Sequence, residues 1–166
     1  MKTNTNEKPA RKTLENVISE QIKGETQAAA LDFTAYLRVN KMSPVLASVN
    51  SWKVNFKGSG VCYIKVANGS WLINFHGSFQ RDYETTFSSD ALKKIAWANI
   101  KHCVKCNVNC IAGEKWVRAS VLGKEFDNVC KNIRIVMANP DAKAVECAKK
   151  LVEKTCDDIL NGRPVW

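Results

Sequence analysis

Histidine is nearly absent, with two residues in 166, and proline is sparse at four. Two imidazoles leave few routes to histidine-based catalysis, and neither stands in a His-Glu-x-x-His helix. No Gly-x-Ser-x-Gly elbow occurs. Gly58-Ser59-Gly60 lacks the Gly-Lys-Ser/Thr continuation of a phosphate loop, so it reads as a hairpin turn. Apolar runs stop after a few residues, as at Ala28 to Leu31, far short of the roughly 20 that span a bilayer. The first twelve residues contain no apolar stretch of the kind that directs secretion. The expectation is a cytoplasmic protein with no membrane partner, and the chain has neither internal repeats nor low-complexity stretches.

What the chain does contain is enough for a packed core: 45% of its residues are hydrophobic and 25% are charged. Residues 1–12 have the polar composition of a flexible tail, and 13–166 read as one domain with a Cys-rich insert at 102–131. The formal net charge is +9, and it is unevenly spread. Residues 93–134 hold 9 Lys and Arg against 3 Asp and Glu, whereas 135–166 balance at 5 each. The basic stretch also holds four of the seven cysteines. An odd cysteine number in a reducing compartment argues against a disulfide framework.

Hydrophobic spacing predicts helices over Thr13–Lys23, capped by Thr13 and closed by Gly24, and over Glu25–Asn40, stopped by Ser43-Pro44. Strict alternation follows in Trp52/Val54/Phe56, Cys62/Ile64/Val66 and Trp71/Ile73/Phe75, with turns at Gly58-Ser59-Gly60 and Asn68-Gly69. This is a three-stranded antiparallel meander with one apolar face, which the helices must cover. Ser88-Ser89-Asp90 starts a helix to about Lys101, and Val117–Leu122 and Ile133–Met137 read as short strands that extend the sheet by one or two. A last helix begins at Asn139-Pro140-Asp141, with Asn139 as N-cap, and ends at Asn161-Gly162. Its inner stripe is Ala144, Val145, Ala148, Leu151, Val152, Ile159 and Leu160. The fold class is α+β, with N-terminal and C-terminal helices covering the meander.

Cys103-x2-Cys106-x3-Cys110, with Cys130 further on, is the constellation that carries chemistry. Two thiolates two residues apart converge on one cation, and two more ligands complete a tetrahedral zinc site. Lys101, Lys105, Lys115 and Lys124 would offset the charge of four thiolates. An iron–sulfur cluster ranks below zinc because ferredoxin spacing is missing. Thiol redox ranks lower still, since the Cys-x-x-Cys pair follows a helix, whose carbonyl end raises thiol pKa values. The bland alternative is a set of buried thiols.

Lys93, Lys94, Trp97 and Lys101, with Lys115 and Arg118 beyond the cysteines, combine cations and an indole in a way that suits nucleic acid or another anionic ligand. Lysines also simply solvate helices, and tryptophan is usually buried. Glu125 and Asp127 form either an acid–base pair or ion pairs with neighbours such as Lys124. The leading reading is a small, non-enzymatic protein with structural zinc on Cys103, Cys106, Cys110 and Cys130 and a basic face for an anionic partner. The alternative is a small-molecule sensor or enzyme with an aromatic pocket lined by Trp52, Trp71 and Tyr83.

Overall fold

The fold was traced in a computed structural model that describes residues 12–77, 79, 87–103, 117–130 and 132–163. The chain opens with α1 (Leu14–Gln21), whose N-cap Thr13 accepts a hydrogen bond from the Asn16 amide through its hydroxyl. Gly24 does not close this helix. It begins α2 (Gly24–Val39) with φ at +64°, a conformation glycine adopts without Cβ strain.

Four strands then form a meander, one more than the alternation pattern indicated: β1 (Ser43–Ser48), β2 (Ser51–Phe56), β3 (Ser59–Ala67) and β4 (Ser70–Gly77). β1 escaped the pattern because it is an edge strand, almost fully exposed, with Pro44 in it. The β2–β3 turn is Lys57-Gly58 rather than Gly58-Ser59-Gly60; both central residues have positive φ, as do Asn68-Gly69 at the β3–β4 turn. Ser59 and Gly60 belong to β3, beside a bulge opposite Val54 and Asn55.

After α3 (Asp90–Ala98) come the hairpin β5 (Val117–Val121) and β6 (Lys124–Val129), then β7 (Ile133–Ala138) and α4 (Ala142–Leu160). β6 was not legible as a strand: its run KEFDNV is polar and mostly exposed. β7 pairs antiparallel with β4, giving a five-stranded sheet ordered β1-β2-β3-β4-β7, while β5 and β6 form a separate pair. The class is therefore α+β, with helices at both ends of the chain flanking an antiparallel sheet.

Asn139 is not the N-cap of α4. Asp141 is, accepting from the Ala144 amide at 2.8 Å. Asn139 takes a left-handed conformation, φ +43°, that asparagine tolerates better than most residues, and clamps β4 instead. Its side-chain oxygen accepts from the Trp71 amide at 2.9 Å, and its own amide donates to the Trp71 carbonyl at 2.8 Å. Asn161 and Gly162, φ +65°, end the helix as the sequence indicated.

The core lies between one face of the sheet and the helices. Trp52, Val54, Cys62, Ile64, Val66, Trp71, Ile73, Phe75, Ile135 and Met137 are buried there against Leu14, Ile18, Phe33, Leu37, Val145, Ala148, Leu151 and Val152. Of the expected inner stripe of α4, Leu160 turns out to be 55% exposed. Lys154 and Asp158 are buried instead, paired at 3.1 Å, with Arg163 closing on the same carboxylate at 3.4 Å. Among the described residues no helix is long and apolar enough to cross a membrane.

Candidate functional site

α3 ends at Ala98, three residues before the sequence reading had it, because Asn99 caps it: the side-chain amide donates to the Ile95 carbonyl at 2.8 Å. The chain then runs extended and ties the two sheets together. The Asn99 carbonyl accepts from the Val136 amide at 2.9 Å, the Lys101 amide donates to the Arg134 carbonyl at 2.9 Å, and Ile100 bridges Ile135. One step on, His102 bridges Val129 and the Cys103 amide donates to the Asn128 carbonyl at 2.6 Å. Residues 99–103 thus pair with β7 at one end and β6 at the other.

This register fixes the relation of two candidate ligands. Cys103 follows His102 and Cys130 follows Val129, so the two cysteines flank one antiparallel bridge as a diagonal pair. Diagonal neighbours in such a ladder lie about 7–8 Å apart at the backbone, and alternation turns both toward the side opposite the bridged pair. Both are half-buried. Cys106 and Cys110 lie outside the described residues, as do Lys105 and Lys115. Among the described residues no three His, Cys, Asp or Glu side chains gather around a common point.

Two electrostatic expectations change. The carbonyl end of α3 lies five residues before Cys103, beyond the one turn over which a helix dipole acts. Lys124 is not beside Cys130. It lies six residues of strand from Cys130, about 20 Å, with its ammonium 5.4 Å from the Trp97 ring centre and 5.3 Å from that of Phe126.

The cations first grouped as an anion site are only partly available. Trp97 is half-buried and donates its indole N–H to the Val121 carbonyl at 2.9 Å, which pins α3 to the β5–β6 hairpin. Arg118 stands between Glu125 at 3.6 Å and Asp127 at 3.4 Å, so those carboxylates form ion pairs, with Arg118 rather than with Lys124. Lys93 approaches Asp90 at 3.9 Å, while Lys94 and Lys101 are exposed.

The aromatic pair proposed to line a pocket is core: Trp52 is 3% and Trp71 2% exposed, and the Trp71 ring packs 6.2 Å from that of Phe33. Tyr83 lies outside the described residues. An open groove of about 720 Å³ lies elsewhere, between the beginnings of α2 and α4, and Glu25, Asp32 and Asp141 line it with Lys143. Asp141 is engaged as the α4 cap, and Asp32 accepts from Lys149 at 2.8 Å.

Of the other cysteines, Cys62 and Cys147 are buried and Cys156 is half-buried. Burial pushes the Cys147 thiol up to about 12, and its sulfur sits 3.4 Å from the Leu92 carbonyl, packing α4 against α3. Burial raises Cys62 further, and Cys156 rises to about 11 beside the Met42 sulfur at 3.8 Å. Comparison with protein families, with curated proteins and with solved structures returns no match.

Proposed function

We propose that this chain is a non-enzymatic binding module in which Cys103, Cys106, Cys110 and Cys130 hold a structural zinc ion, with a basic exterior for an anionic partner such as nucleic acid. The observation that supports it is the bridge between His102 and Val129, which brings the first and last cysteines of the set, 27 positions apart in sequence, to adjacent places on one ladder. Zinc holds each sulfur at about 2.3 Å in a tetrahedron, and a diagonal pair can supply two of its corners. The Cys-x2-Cys-x3-Cys spacing supplies the other two from the loop that follows Cys103. The three remaining cysteines are set aside by thiols that desolvation keeps protonated, Cys62 and Cys147 buried and Cys156 half-buried.

Protein purified without chelator should carry close to one equivalent of zinc, read by elemental analysis. Iron in its place would turn the reading to an iron–sulfur cluster, and less than about half an equivalent of either metal overturns it. A thiol reagent at pH 8 should find four additional fast-reacting cysteines once a strong chelator is added. Cys106→Ser should lose the metal and lower the melting temperature; unchanged metal content and melting in that variant would refute the assignment.

A further inference from the structure

The five-stranded sheet has a second face, away from the helices, and its composition is one-sided. β1, β2, β3, β4 and β7 contain no aspartate or glutamate. Their three lysines and arginines, Lys53, Lys65 and Arg134, all alternate onto this second face, because the intervening residues Trp52, Val54, Ile64, Val66, Ile133 and Ile135 are the ones buried under the helices. Among the described residues none of the three makes an ion pair with a carboxylate.

The register sets a surface pattern. Val45, Lys53, Tyr63, Asn74 and Val136 lie directly opposite one another in a row across all five strands. Lys65 and Leu72 pair in the next row on one side, and His76 and Arg134 pair in the next row on the other. Tyr63 therefore lies at the centre with a cation beside it in its own row and others in the rows that flank it, and the His76 ring meets it edge-on, 6.2 Å between centroids at 78°.

We propose that this sheet face binds single-stranded nucleic acid, with an unpaired base stacked on Tyr63 and its neighbouring phosphates on Lys53, Lys65 and Arg134. Three features argue for this occupant. A cationic face whose strands carry no carboxylate is complementary to a polyanion. A ring set into a flat sheet takes the π-face of any unpaired base, which a duplex keeps stacked inside. The central row also contains the Asn74 side chain, whose oxygen is buried with no hydrogen-bond partner among the described residues. A base edge that reaches it would add a donor. Lys101 borders this surface, since Ile100 bridges Ile135 and so sets Lys101 opposite Arg134 in the row of His76, whereas Lys93 and Lys94 belong to α3; binding here does not require the metal.

The experiment is a fluorescence-anisotropy titration of the full chain with a labelled single-stranded ten-mer, the same sequence as duplex, and vesicles containing anionic lipid, at about 50 mM salt. Binding of the single strand at or below about 100 µM, at least tenfold tighter than duplex, is expected. The Lys53→Glu/Lys65→Glu variant should bind at least tenfold more weakly, with the slope of log K against log salt shallower by about 1.4. Tyr63→Phe should bind like the natural chain and Tyr63→Leu several-fold worse; their melting curves report folding, and a folded Tyr63→Leu with full affinity overturns the stacking role. No binding at about 100 µM, equal affinity for duplex, preference for vesicles, or loss in Lys93→Glu/Lys94→Glu but not in Lys53→Glu/Lys65→Glu would each overturn the assignment. Zinc measured on the same samples separates the two proposals: metal without oligonucleotide binding removes this one alone, and binding without metal removes the zinc centre alone.

Discussion

His76 shows how a single side chain reports on the open sheet face. Partial burial, and after it the positive charge of Arg134 in the paired strand, holds its pKa below the ordinary histidine value of 6.5. The unfolded chain therefore takes up the proton at a higher pH than the folded one. Stability is complete above 6.5 and is lost as pH falls from there through the lowered folded value. Urea midpoints should decline between pH 7 and pH 5, and His76→Gln should show a shallower decline over that interval. Parallel pH profiles in the two proteins would place the imidazole in water. An anion bound between His76 and Arg134 should reverse the sign, because it would favour the protonated ring. The thiols make the complementary point at this scale. Desolvation penalises the thiolates of Cys62 and Cys147, so among the five described cysteines burial marks these two as packing residues, a distinction that cysteine count alone does not make.

At the scale of elements, the parts that sequence revealed are those whose signal is local. Thr13 caps α1, Asn68-Gly69 turns β3 into β4, and Asn161-Gly162 ends α4, each because a side chain or a φ sign at that position decides the geometry. The parts that stayed hidden depend on partners far along the chain. β1 and β6 have little apolar alternation, and each is held as a strand by its hairpin neighbour. Residues 99–101 look helical in their spacing, yet β7 offers unpaired backbone groups that the chain takes in preference to another helical turn. The same competition moved Asn139 from a cap to a clamp. Asn139→Ala removes a side-chain bond to a buried segment and leaves at positive φ a residue that has a Cβ but no polar side chain to stabilise that conformation, so it should cost about 2 kcal/mol. Asn139→Gly keeps the backbone conformation accessible and should recover part of that loss in chemical denaturation. Equal destabilisation by both substitutions would assign the whole effect to the lost hydrogen bond, and none from either would remove the clamp.

For the whole molecule, the two sheets differ in what holds them. The five-stranded sheet is anchored by α1, α2 and α4 across its buried face, and β4 meets β7 along six residue pairs. The β5–β6 hairpin has less: Ala119, Val121, Leu122 and Val129 are buried, the Trp97 indole bonds Val121, and the His102 bridge joins it to the connector. Cys103 and Cys130 sit at that junction, so metal bound there would fasten the hairpin and the connector to the main sheet rather than support the core as a whole. The candidate site was legible in sequence only as a spacing, because Cys103 and Cys130 become neighbours through the β6 pairing, which a polar strand conceals. Removing the metal should therefore act regionally. Hydrogen exchange after chelation should accelerate at least tenfold in residues 99–103 and 124–130, while β3, β4 and the buried turns of α4 keep their protection, since local opening follows the contacts that are lost. Uniform acceleration across both sheets would make the ion a determinant of the entire fold, as in small metal-dependent domains. Unchanged exchange at 99–103 in protein shown to have lost its zinc would place the ion elsewhere in the chain and separate the His102 bridge from any role in holding it.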